Sequence, residues 1–127
     1  MATNLAQRFI DALGKLEQER EVGPLVELHG DEAEVGNVNV PEKFHSQDGA
    51  RQFWTEYRET FGELRSNFRN VIEVEGRVAL EWTSTGTTVA GKPLSYDGVS
   101  VIEYADDRIT RFRAYFDPSG LGRQITE

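Results

Sequence analysis

An α+β domain is the architecture this sequence predicts: three helices followed by a meander of four antiparallel strands. Two observations carry it. Through about residue 61, apolar residues recur at spacings of three and four. Beyond residue 62 the chain changes to runs rich in Val, Ile, Thr and aromatics, separated by tight turn signals. A length of 127 residues suits one domain, 1–127, large enough for a core and one internal pocket.

The first helix begins near Asn4, where Thr3 or Asn4 can cap it, and runs to Lys15. Its apolar stripe is Leu5, Phe9, Ala12, Leu13 and Leu16. Val22–His29 reads as a short second helix, with Pro24 near its first turn and Gly30 past its end. Ala33–Val40 alternates weakly, as a short strand does, and Pro41–Phe44 reads as a loop. Ser46 then caps a third helix that reaches about Phe61 and carries Ala50, Phe53, Trp54 and Tyr57. The strands follow at Phe68–Val74, Arg77–Thr85, Leu94–Tyr104 and Ile109–Phe116. Their connectors are Glu75-Gly76, Gly86–Lys92 and Ala105–Asp107. The end beyond Pro118 reads as a short polar tail.

Composition excludes several chemistries. With no cysteine, there is no disulfide, thiolate zinc site, iron–sulfur cluster or cysteine nucleophile. Two histidines, His29 and His45, both near predicted loops, make no metal motif and read as surface residues. A net charge of −8 repels phosphate backbones and anionic lipid, so neither nucleic acid nor membrane is an expected partner. No apolar run is long enough to span a bilayer. The opening residues MATNLAQRF lack an apolar signal core, so a cytoplasmic location is expected.

Certain segments resemble the nuclear transport factor 2-like superfamily, in its SnoaL-like and ketosteroid isomerase-like branch. They are Gln7-Arg8-Phe9-Ile10, Gly49-Ala50-Arg51-Gln52-Phe53-Trp54, and the ending from Arg108 through Arg111-Phe112-Arg113-Ala114-Tyr115-Phe116 to Asp117. The resemblance implies a cone: a curved antiparallel sheet wraps the helices, and its concave face lines one pocket. It also implies a dimer through the convex face, here taken as Val78, Leu80, Trp82, Val99, Val101 and Tyr115.

On that geometry the pocket takes Phe9, Trp54 and Tyr57 from the helices and Asn37 from the short strand. The later strands add Tyr96, Gly98, Ser100, Ile102, Phe112, Ala114 and Phe116. The resemblance also turns Ala79, Glu81 and Thr83 inward. The alternation of Val78, Leu80 and Trp82 gives the opposite answer for that strand and leaves Glu81 in water. A further condition attaches to the last hairpin. A three-residue loop at Ala105–Asp107 puts Ser100 and Phe112 on one face, whereas a two-residue turn separates them. Asp97 and Asp117 fall on the outer face, Asp117 in a structural role beside Arg111, Arg113 or the turn at Pro118.

The family's known catalytic sets are absent. Where a ketosteroid isomerase has its base, its Tyr and its protonated Asp, this chain carries Asn37, Phe9 and Ser100. Where limonene-epoxide hydrolase has its Asp–Arg–Asp set, this chain carries Thr83, Glu81 and Ala114. An amide cannot abstract a proton, so isomerisation in that form is not expected. Two functions are compatible with what is left. One is a non-catalytic domain that binds a small hydrophobic molecule without a cofactor. The other is a cofactor-free isomerase, cyclase, dehydratase or hydrolase with Glu81 as acid or base, its pKa raised by burial among aromatics.

Overall fold

The computed structural model describes residues 4–38 and 44–126. Its elements are α1 (Leu5–Glu19), α2 (Gly23–Glu27), β1 (His29–Asn37), β2 (Phe44–His45), α3 (Ser46–Glu59), β3 (Phe61–Val74), β4 (Arg77–Thr88), β5 (Pro93–Ala105), β6 (Arg108–Phe116) and α4 (Pro118–Thr126). The strands form one curved six-stranded sheet in the order β2-β1-β6-β5-β4-β3. The predicted α+β class and meander are present. In addition, β1 runs parallel to β6 and extends that side of the sheet, with β2 at its edge. Residues 39–43, where part of the predicted strand and loop falls, lie outside the described residues.

α1 starts where the sequence places it, with the Asn4 side chain accepting the Gln7 amide at 3.2 Å. Its buried face is Leu5, Ala6, Phe9, Ala12, Leu13, Leu16 and, unexpectedly, Glu17. Arg20 ends it in a left-handed conformation, φ 60°. α2 stops at Glu27, so His29 opens a strand and does not close a helix. The N-cap of α3 is His45, and Ser46 is its first residue, its hydroxyl accepting the Gly49 amide at 3.4 Å.

Two elements are longer than predicted. β3 begins at Phe61, because Phe61, Leu64, Ser66 and Phe68 face inward while charged residues between them mask the alternation. The tail after Pro118 is a helix. The Asp117 carboxylate accepts the Ser119 amide at 3.0 Å to open it, and Leu121 packs into a small cluster with Phe61, Leu64 and Leu94.

The strand faces decide the site. Thr88–Lys92 closes the β4–β5 hairpin with Gly91 at φ 89°, so Leu80 pairs Ser100, Trp82 pairs Gly98 and Ser84 pairs Tyr96. Paired residues share a face. Val78, Leu80, Trp82 and Ser84 therefore join Tyr96, Ser100 and Ile102 on the concave side, all but Tyr96 fully buried. The inward assignment of Ala79, Glu81 and Thr83 is corrected: all three point outward. So is the outward assignment of Val78, Leu80 and Trp82, whose apolar alternation was the better guide.

The β5–β6 turn has two residues, Asp106 and Asp107, both left-handed at φ 51° and φ 65°. A turn of that length alone would send Phe112 outward. The register shifts after Tyr104–Ile109, however, and Thr110 is left as an extra bulged residue. Ser100–Ala114 and Ile102–Phe112 are thereby restored to the concave face.

Candidate functional site

Between α1, α3 and the concave sheet lies a cavity of about 190 Å³. Phe9, Asn37, Trp54, Tyr57 and Tyr96 line it, as do Ser100, Phe112, Ala114 and Phe116. Of the residues assigned to the site from sequence, Thr83 and Glu81 do not. Thr83 donates its hydroxyl to Asp97 at 2.6 Å on the outer face. Glu81 sits on that same face, its side chain 47% exposed and 3.8 Å from Arg69. The cause is the pairing parity of β4 with β5, which puts Glu81 opposite Val99.

The walls are aromatic. Phe9 stacks on Phe112 with centroids 5.5 Å apart, and the edge of Trp54 meets Phe112 at 4.8 Å. Tyr96 packs between Phe116 at 5.4 Å and Trp82 at 5.3 Å. The Trp82 indole lies over Gly98, where a side chain would collide with it, and donates its N–H to Ser100 Oγ at 2.9 Å. The exposed Glu56 and Thr60 stand at the rim.

One end of the cavity is polar. Ser66, Ser84 and Tyr96 occupy one rung across β3, β4 and β5. Ser66 and Ser84 hydroxyls are 2.7 Å apart, and Tyr96 pairs with Ser84 in the strand register. Glu17 of α1 lies behind this rung, 2% exposed. Its carboxylate accepts the Tyr57 hydroxyl at 2.7 Å, the Ser66 amide at 2.9 Å and the Ser66 hydroxyl at 2.6 Å. Burial raises the Glu17 pKa, and these donors together with the Arg58 charge oppose that rise. Burial likewise lifts both Tyr57 and Tyr96 well above the ordinary phenol range, so both hydroxyls keep their protons.

The sequence reading missed Glu17. The available signal was its position: four residues beyond Leu13 and eight beyond Phe9, it falls on the apolar stripe of α1. His29 is also corrected, from surface to fully buried. Trp54 Nε1 donates to His29 Nε2 at 3.4 Å, so Nδ1 carries the ring proton and donates it to the Leu25 carbonyl at 2.8 Å. Burial holds this histidine neutral, its pKa lowered to about 4. His45 is exposed, as expected of a surface residue.

The family model of the SnoaL-like domain matches residues 6–112. The chain belongs to the SnoaL-like domain family. No curated protein sequence matches it. Among solved structures, this SnoaL-like chain is similar to a Rhodopseudomonas palustris protein provisionally assigned as an isomerase. That match has TM-score 0.85 and 16% identity, covering 98% of this chain and 97% of the other. It is also similar to TerC, co-crystallised with polyporic acid, with TM-score 0.82, 18% identity and coverage of 98% and 100%. A third is an M. tuberculosis epoxide hydrolase of the limonene-epoxide hydrolase-like type, with TM-score 0.75, 18% identity and coverage of 98% and 91%. At these identities the likeness shows a common fold.

Proposed function

We propose that this SnoaL-like domain binds one small, largely apolar ring compound in the concave cavity, without a cofactor. The observation that carries this is the cavity itself: about 190 Å³, walled by aromatic side chains packed on one another, with a few polar groups, Tyr57, Ser66 and Ser84 among them, in its lining. A cavity of about 150 Å³ with apolar walls holds benzene, so this one suits a substituted single ring and is too small for a steroid. TerC with polyporic acid and the epoxide hydrolase support a small organic molecule as occupant of this fold.

Glu81, the acid or base of the enzymatic alternative, stands outside the cavity, which favours a binding role. We further propose that the protein is a homodimer joined through the outer sheet face.

Calorimetric titration with toluene tests the binding role. Saturable binding to the wild type is expected, with loss in Ala114→Phe, which fills the cavity from β6, while the circular dichroism spectrum is retained. Failure of the wild type to bind toluene, ethylbenzene or a monoterpene of one ring overturns the proposal.

A further inference from the structure

The protons of the polar end all run one way. An ionised Glu17 only accepts, so the Tyr57 proton and the Ser66 hydroxyl proton are both committed to it. Ser66 Oγ can then only receive from Ser84, at 2.7 Å. Ser84, its proton spent on Ser66, is left an acceptor. Three oxygens that line the cavity, those of Tyr57, Ser66 and Ser84, are left with lone pairs and no proton to offer.

We propose that Glu17, acting through Tyr57 and through the Ser66–Ser84 hydroxyl pair, makes this end of the cavity an acceptor-only site, which selects ring compounds bearing an O–H donor, a phenol or an enol, over ring compounds bearing only a carbonyl. The inference rests on the ring-binding function proposed above and adds the polarity of the ligand. Glu17 does not line the cavity, so it is a positioning residue: it orients hydroxyls that touch the ligand. A carbonyl oxygen placed there would face two lone pairs and leave its own acceptor unpaired, which is the costly case in a buried site. A phenol completes both sides. Its O–H gives a proton to the Tyr57 or Ser84 oxygen, and its ring lies among Phe9, Phe112 and Phe116.

The test compares phenol with benzaldehyde, an aromatic ring of similar size that can only accept, and uses toluene to report occupancy of the cavity. Binding is followed by NMR titration of the Trp54 and Trp82 indole N–H signals. Wild type should bind phenol about tenfold more tightly than benzaldehyde, the ratio a hydrogen bond in a chain ending on a charge supports. In Tyr57→Phe and in Glu17→Gln the ratio should fall toward one, and in Glu17→Gln, which leaves every lining side chain in place, toluene affinity should change less than about twofold. A loss of general packing would weaken all three ligands together and leave the ratio alone. Equal affinities in the wild type, or a ratio that survives both substitutions, overturns the inference while toluene binding leaves the ring-binding function standing. If none of the three binds the wild type, both fall. Should Glu17→Gln fail to fold, the wild-type ratio and Tyr57→Phe decide alone.

Discussion

Gly98 shows how a single missing side chain shapes the site. A Cβ built there would sit 2.5 Å from the Trp82 ring and 2.6 Å from the Tyr115 carbonyl oxygen. Gly98→Ala should therefore displace the indole that holds Ser100, at a cost of about 1–3 kcal/mol by overpacking. Thermal unfolding checks this, and an unchanged midpoint would refute the close approach. Two buried titratable groups set opposing pH dependences. His29 has its pKa lowered from 6.5 to about 4, so the unfolded chain takes up that proton first. Its contribution to stability is complete above the unfolded value and is lost as the pH falls toward about 4. Glu17 is raised above 4.5, so its contribution is complete below that value and is lost as the pH rises through the folded pKa. Glu17→Gln removes only the second effect. Between pH 4.5 and 6.5 its urea midpoint should climb with pH more steeply than that of the wild type. A slope equal to the wild type's or shallower would show that Glu17 keeps an ordinary pKa in the fold.

At the scale of elements, Arg58 is the strap that sets α1 against α3 and β3, and so holds Glu17 over the hydroxyl rung. Its guanidinium is buried and donates to the carbonyls of Glu17 at 3.0 Å, Phe61 at 3.0 Å and Gly62 at 2.8 Å. A lysine has a single ammonium and cannot reach three carbonyls spread around a planar fork. Arg58→Lys should destabilise by about 2–3 kcal/mol, because buried acceptors lose their donors. Denaturant unfolding measures it, and a loss under about 0.5 kcal/mol, the range of an ordinary surface substitution, would exclude the strap role. Element existence was legible along most of the chain. The stripe of α1, the aromatic spacing of α3 and the β-rich second half are local signals. The face of β4 was legible too, in Val78, Leu80 and Trp82, and was set aside for a likeness that placed Glu81 in the pocket. The face of β6 was not legible in full. The two-residue turn and the bulge at Thr110 each reverse it, and only the register shows that they cancel.

At the scale of the molecule, the outer sheet face leaves Ile72, Val99, Val101 and Tyr115 between 37% and 55% exposed. Around them run pairs of mixed sign: Arg69 with Glu81, Arg77 and Arg111 with Glu103, and Arg113 with Glu34. Such a face can meet its own copy across a two-fold axis, apolar centre on apolar centre and each charge near its opposite. With Val78, Leu80 and Trp82 buried inside, the apolar centre is smaller than the sequence alone implied. Sedimentation equilibrium at micromolar concentration should return twice 14.4 kDa, and Val101→Asp should shift the equilibrium toward 14.4 kDa. A wild type that sediments as a monomer would refute the dimer.

The sequence by itself determined the α+β class and the order of the main helices and strands, which follow from local periodicity and residue type acting over a few neighbours. Its resemblance to a known family implied the pocket of Phe9, Trp54, Tyr57, Tyr96, Phe112 and Phe116. Only the tertiary structure decided which carboxylate belongs to the site. Glu81 was excluded by the pairing of β4 with β5, and Glu17 was recruited because α1 crosses the β3 end of a rung formed by Ser66, Ser84 and Tyr96. Glu17 and Ser66 are 49 residues apart in the chain. Their contact depends on strand register and helix placement together, and a local pattern contains neither.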